Sequence, residues 1–447
     1  MQPRTDPSRS LLLLPLLLTV GCAGRVPSPA TPKPAARPPS LVPATSIVME
    51  PIKLLVTPGT LAGRSIDVLD VGGLFERGGQ LLSAKKYVQS LAAYDKLLKH
   101  FPASRYASPS LYNAGLAHEW LGQFSKAAGR YRELIRRFGA SKEAIDAAFR
   151  LGGCYAELRN WPASAEVFDT LLKRKDLSAS DRIECFARKG LASFRLGDYR
   201  SARSTLQAAV DFHKSVEVTE RLDTDFFLAM ARYYQAAVPH VEFRNIKVDA
   251  GKTMAQNLDE KARLLLLSQA GYIHAINIRN PFWATAAGFQ IGSLYREFYT
   301  TLMTVLPDFA KQAAKNAKRA RTSVKNAHDQ HIRVYLEEVH KAVKPLLSKA
   351  KRVFEKNVLM AETVGVRSNW VDKSRAQINE LKHLLSLPPA DAAKLVRQTG
   401  LLPEDVKPDP LETDKPAGRD PATKPGSSPD KDKPTEQGDD EPGRVIL

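Results

Sequence analysis

From Leu111 to Gly139 the apolar and small positions fall into two helical stripes. Leu111, Ala114, Gly115 and His118 share one face, and after a turn at Leu121 and Gly122 a second face forms from Phe124, Ala127, Tyr131 and Leu134. The spacing predicts two helices packed as a hairpin, with Gly115 and Ala127 small enough to let the axes approach. Displaced by 37 residues the pattern returns as Ala148, Leu151, Gly152, Tyr155, Trp161, Ser164, Phe168 and Leu171. It holds again at Gly78, with Leu81, Tyr87, Ser90, Tyr94, Leu97 and Pro102, and at Gly190, with Leu196, Gly197, Tyr199, Ala202 and Leu206. Four stacked units are expected.

Beyond the fourth unit the pattern stays helical. Asp223 to Ala237 reads as another first helix, which Pro239 is expected to stop before an irregular connection. Leu258 to Ile278 is a strong apolar helix. Asn280 as cap and Pro281 at the first position open the next, whose Ala284, Gly288 and Gly292 form a close-packing stripe and which Pro307 is expected to end. Asp308 to Val343 reads as one long basic helix, with further helices from Pro345 to Gly365, from Ser368 to Leu387 and before Gly400.

The ends of the chain differ in kind. Arg4 and Arg9 precede an apolar run from Leu11 to Val20, too short to span a bilayer and of export-signal proportions. Arg25 to about Pro43 is crowded with Pro, Ala and Ser, a composition for a tether. Pro403 to Gly443 lacks any hydrophobic period. The expected organisation is all-α: a signal over 1–21, a Pro-rich tether over 22–60, a helical-hairpin solenoid over 61–215, a helical domain with a basic helix over 216–402, and a disordered tail over 403–447.

These residues carry two resemblances. The small residues at the helix crossing, the aromatics around them and the closing Pro102 resemble the tetratricopeptide repeat, with departures at Ser90 and Ser164 for Ala, Arg159 for a turn Gly and Ser193 for Tyr. Leu-Thr-Val-Gly-Cys ending at Cys22 resembles a bacterial lipobox, although Leu18 stands one place early. That resemblance implies an acylated Cys22, and Ala23 in place of the family's inner-membrane Asp implies the outer membrane. Each buried acyl methylene would add about 0.8 kcal/mol of membrane affinity.

Chemistry narrows little further. No dinucleotide, phosphate-loop, serine-hydrolase or zinc-protease motif occurs, so neither catalysis nor a cofactor is expected. His328 and His331, with His340 beyond, are read as surface residues of a basic helix rather than a metal site. Cys154 and Cys185 are expected as separate buried thiols, although their adjacent repeats leave a disulfide open in an oxidising compartment. A net charge of +18 raises nucleic acid as a partner, but export and the absence of a nucleic-acid motif weigh against it. The cations Lys311, Lys315, Lys318, Arg319 and Arg321 instead mark a face for lipid headgroups, cell-wall polymers or acidic proteins, against the plainer reading of a solvated surface.

By the repeat register, the concave groove is lined by Tyr112, Glu119 and Trp120, by Phe149 and Glu157, and by Phe194 and Arg195. Aromatic anchors with charged neighbours suit an extended peptide or a helix from another envelope protein. Phe149 and Phe194 are equally suited to packing between units. The stretches Tyr272 to Ile276 and Asn280 to Tyr299 resemble the tetratricopeptide lipoproteins of the gliding-motility (Glt) machinery, which implies a scaffold in a trans-envelope apparatus. The alternative is an assembly lipoprotein resembling the repeat component of outer-membrane protein insertion machines; an envelope hydrolase lacks any motif in its favour.

Overall fold

In the computed structural model the described residues are 52–57, 65–218, 222, 225–319 and 325–399. The first of them form a β-hairpin where the sequence suggests only tether and solenoid edge. Strand β1 (Ile52–Thr57) pairs antiparallel with β2 (Ser65–Asp70), with Leu54 opposite Val68 and Val56 opposite Ile66. Alternating aliphatic residues, Ile52, Leu54 and Val56 in one strand and Ile66 and Val68 in the other, are the signal for it. Leu69 turns inward onto the first repeat. Asp70 ends the strand and caps the next helix, its carboxylate accepting from the amides of Gly72 at 3.2 Å and Gly73 at 2.8 Å.

Four helical hairpins follow: α1 (Val71–Ser83) with α2 (Tyr87–His100), α3 (Ala107–Trp120) with α4 (Phe124–Phe138), α5 (Glu143–Glu157) with α6 (Trp161–Leu172), and α7 (Ala179–Arg195) with α8 (Tyr199–Val216). Every crossing is built alike. A Cβ on Gly78 would lie 2.6 Å from the Tyr94 ring, on Gly152 2.5 Å from Phe168 and on Gly190 2.5 Å from Leu206; on Gly115 it would enter the Tyr131 ring. Two departures from the repeat pattern prove to be equivalent bonds across those crossings. Ser90 Oγ donates to the Gly78 carbonyl at 2.8 Å and Ser164 Oγ to that of Gly152 at 2.9 Å. The hairpin turns also match, with Lys85, Gly122, Arg159 and Gly197 all at positive φ. Arg159 and Lys85 hold a conformation that glycine adopts without steric cost.

The second half is α9 (Asp225–Asn245), α10 (Met254–Asn277), α11 (Pro281–Arg319), α12 (Lys325–Val364), α13 (Asn369–Ser386) and α14 (Pro389–Thr399). Here the structure corrects three proline boundaries. Pro239 lies inside α9, Pro307 inside α11 and Pro345 inside α12. A proline in a helix interior costs about 3 kcal/mol, but α9 is buried around most of its circumference, with Tyr233, Tyr234, Val238 and Phe243 all fully covered. Burial of four such side chains at about 1.5–3 kcal/mol each exceeds that penalty. The basic helix expected from Asp308 to Val343 is therefore divided between the end of α11 and the start of α12.

The small-residue stripe of α11 works as its spacing predicts. A Cβ on Gly292 would lie 2.5 Å from the Phe354 ring, and one on Gly288 would strike Asn357, both on α12. One hydrophobic core runs from Ala187 in α7 to Val396 in α14, so the last repeat and the second half share their interior. A separate core, from Leu69 to Cys154, fills the first repeats.

Candidate functional site

The seven groove residues divide by burial. Tyr112, Phe149 and Phe194 are all buried: Phe149 packs against Phe168 at 6.1 Å between ring centres, and Phe194 against Tyr199 at 5.6 Å and Tyr234 at 5.1 Å. Tyr112 and Glu119 belong to a polar seam between the second and third hairpins. Arg150 donates through Nε to Tyr112 Oη at 3.0 Å and through Nη1 to Glu119 Oε2 at 3.1 Å, while Tyr131 Oη donates to Glu119 Oε1 at 2.6 Å. Burial pushes both tyrosine hydroxyls up, Tyr131 furthest, so both stay protonated, Tyr112 accepting from Arg150 and Tyr131 donating to Glu119. Burial and the nearby Glu119 also raise the Cys154 thiol. Cys154 and Cys185 are buried thiols, neither of them in a disulfide.

Trp120, Glu157 and Arg195 occupy the same repeat position, the last residue of α3, α5 and α7. Each belongs to a register with the first residues of the second helices, Tyr87, Phe124, Trp161 and Tyr199. Trp120 is 55% exposed and stacks on Tyr87 at 6.1 Å with the rings 5° from parallel. Two units further along, the Arg195 guanidinium lies 5.2 Å over the Trp161 ring. Glu157 is exposed. The edge where helices turn thus presents aromatic and charged groups at each step of the stack. Beside Tyr87, Lys86 borders an open depression of about 460 Å³ walled by Glu76, Arg77 and Gln80 of α1. Tyr87 and Trp161 are positions of the repeat pattern but were not among the expected groove residues, although an aromatic at the start of every second helix is a readable signal.

The second half holds a buried polar network that no local pattern announces. Glu297 of α11 accepts from Arg244 of α9 at 2.8 and 2.6 Å and from His240 Nε2 at 3.1 Å, and His240 Nδ1 lies 3.1 Å from Tyr272 Oη of α10. Burial would raise the Glu297 carboxyl, but His240 and Arg244 override it and hold it down at about 2. Burial, with the Arg244 charge, lowers His240. Neutral His240 then donates from Nε2 and accepts from Tyr272 at Nδ1. Lys261 of α10 donates to the carbonyls of Phe243 at 2.5 Å and Ile246 at 3.2 Å, capping the end of α9 with a cation. Its pKa is lowered by burial to about 8. His240, Tyr272 and Glu297 are sealed from solvent, so the network ties three helices together rather than meeting a substrate.

Other expected groups are placed as follows. Lys311, Lys315, Lys318 and Arg319 lie in α11 but their side chains, like those of His328 and His331, are outside the described residues, as are Arg321 and Cys22 altogether. His340, read as a surface residue, is instead buried, with Nδ1 3.5 Å from Tyr299 Oη. Among the described residues no group of three or more potential ligands is placed to hold a metal, and no helix is long and apolar enough to cross a membrane.

Residues 112–179, from within α3 to the start of α7, match the tetratricopeptide repeat family. None of the curated proteins matches the chain. Similar solved structures include a tetratricopeptide repeat protein from Parabacteroides merdae, 16% identical over 69% of this chain and 98% of its own, with a TM-score of 0.34. The Rap conjugation gene regulator of plasmid pLS20, solved with the Phr* peptide, is 11% identical over 74% and 98%, at 0.32. MamA from Desulfovibrio magneticus is 13% identical over 45% and 97%, at 0.30.

Proposed function

We propose that this protein is a non-enzymatic scaffold, a tetratricopeptide-type solenoid that holds a partner protein of the cell envelope. The observation that carries the reading is the edge formed by Trp120, Glu157 and Arg195, where the Trp120 ring, stacked on Tyr87, stays more than half exposed. Exposed, rigid aromatics flanked by charge are the side chains that anchor protein interfaces. Rigid stacking of the repeats fixes the spacing of such anchors and lowers the ordering cost of binding. Tyr112, Phe149 and Phe194 are buried and pack inside the repeats instead.

The finer reading is an outer-membrane lipoprotein facing the periplasm, anchored through acylated Cys22, with a place in a trans-envelope assembly such as the gliding-motility machinery. Its support is the lipobox-like run before Cys22 and the Pro-rich stretch behind it. The Lys311–Arg321 cluster would meet anionic groups of the same envelope. A photoreactive residue in place of Trp120 tests the scaffold, since it should couple to a defined envelope protein in cells, whereas the same probe at exposed Lys142 should not. Equal coupling from both positions would refute the edge. Cys22→Ser should move the protein from the outer-membrane to the soluble fraction; unchanged fractionation would remove the lipid anchor while leaving the scaffold reading intact.

A further inference from the structure

Helix α12 carries a line of cations on its outward side. Lys341, Lys344, Arg352 and Lys356, with Ser348 at the middle position, recur at steps of three and four residues, within about 120° of arc on a helix of 3.6 residues per turn. All four cations are exposed and Ser348 is half-buried. Leu359 continues the same line and is 63% exposed. From Lys341 to Leu359 the line is about 27 Å long at 1.5 Å per residue. Glu337 and Glu338 stand one turn before Lys341 and bound it at that end.

None of these four cations forms an ion pair among the described residues, while their neighbours are engaged. Lys349 Nζ lies 4.3 Å over the Tyr295 ring, Lys351 pairs with Glu355 at 2.7 Å, and Arg375 pairs with Glu362 at 3.1 Å and Asp372 at 3.0 Å. Like charges one turn apart destabilise a helix. The line holds two such pairs, Lys341 with Lys344 and Arg352 with Lys356, and leaves an apolar side chain at its end.

A complementary segment exists in the same chain. Residues 400–447 contain twelve acidic and seven basic side chains, a net charge of −5, while the remainder carries +23. Within it the four carboxylates of Glu436, Asp439, Asp440 and Glu441 are followed closely by Val445, Ile446 and Leu447. Four acidic groups followed by aliphatic ones match a line of four cations that ends in Leu359. Extended, Glu436–Leu447 covers about 40 Å, more than the line requires. The 37 residues from Thr399 to Glu436 reach as far as about 120 Å, and α14, which ends at Thr399, packs directly against α12. Tethering of this kind makes binding intramolecular, at an effective concentration on the order of millimolar.

We propose that Glu436–Leu447 docks along α12, its carboxylates pairing with Lys341, Lys344, Arg352 and Lys356 and its aliphatic end covering Leu359. The segment then acts as a built-in competitor, and the basic face opens only to an anionic surface that displaces it.

The test uses the full chain. Carbodiimide coupling at low ionic strength, followed by peptide mapping of the monomer, should join Lys341, Lys344 or Lys356 to Glu436, Asp439, Asp440 or Glu441. The yield should fall about tenfold near 1 M salt, where the screening length is about 3 Å. Asp439→Asn, Asp440→Asn and Glu441→Gln together should lower coupling at the remaining Glu436 and strengthen binding to phosphatidylglycerol-containing vesicles, with no change towards phosphatidylcholine alone. Links found only in covalent dimers would assign the face to a second copy and overturn the proposal. So would links from the line only to carboxylates outside residues 404–447, or unchanged vesicle binding in the triple variant.

Discussion

Gly152 and Gly153 are neighbours on α5 and should respond to the same substitution in opposite senses. A Cβ on Gly152 would sit 2.5 Å from Phe168 Cζ, whereas one on Gly153 meets nothing within 4 Å. Ordinary contact begins near 3.4 Å, so Gly152→Ala requires the ring to retreat by about 0.9 Å. Phe168 has little room to do so, being 1% exposed and backed by Phe149 and the Arg188 guanidinium. Over-packing of this kind costs about 1–3 kcal/mol. Replacing glycine by alanine inside a helix returns about 0.8–1 kcal/mol in either variant. The propensity gain cancels in the comparison, which leaves Gly153→Ala more stable than Gly152→Ala by about 1–3 kcal/mol and above the parent by up to about 1 kcal/mol. Urea midpoints of parent and both variants, read at constant slope, measure this difference. Coincident midpoints for the two variants, or a Gly152→Ala midpoint above that of Gly153→Ala, would mean that α5 and α6 do not cross at Gly152.

Glu297→Leu leaves Arg244 without its carboxylate and should destabilise the protein by about 3–5 kcal/mol, seen as an early unfolding step that the first repeats, with their separate core, do not share. Stability should also fall with acid. His240 is lowered from 6.5 in the fold, so below that pH the unfolded chain binds a proton that the fold refuses; Glu297, at about 2 against 4.5, adds a second loss between those values. Urea midpoints that rise on acidification from pH 6.5 would contradict the buried network. Trp120→Ala removes only an exposed stack and should change stability by less than about 0.5 kcal/mol. It should nonetheless abolish capture of the envelope partner by the edge, and retained capture would move the interface elsewhere.

The hairpins were legible because each one depends on residues close together in the chain. A glycine, the ring or Leu206 sixteen residues later and a turn between them specify a crossing locally, and the 37- or 38-residue period then stacks one crossing on the next. The close packing of Gly288 and Gly292 was legible for the same reason, although their partners Asn357 and Phe354 were not. The strands Ile52–Thr57 and Ser65–Asp70 had a readable alternation of aliphatic residues, although the stretch was expected to be tether and solenoid edge.

Tertiary structure decided what depends on distant groups. Pro239 carries a stop signal in its own neighbourhood, and only the burial of α9 on most sides shows why the helix continues. His240, Arg244, Tyr272 and Glu297 lie up to 57 residues apart, and their meeting requires three helices to be packed first. The same holds for the groove. Sequence placed Tyr112, Phe149, Phe194 and Trp120 as groove candidates, with packing between units left open for Phe149 and Phe194, but whether a side chain faces solvent depends on its neighbour in the next repeat. Arg150, Phe168 and Tyr234 cover the first three, and Trp120, stacked on Tyr87, stays more than half exposed.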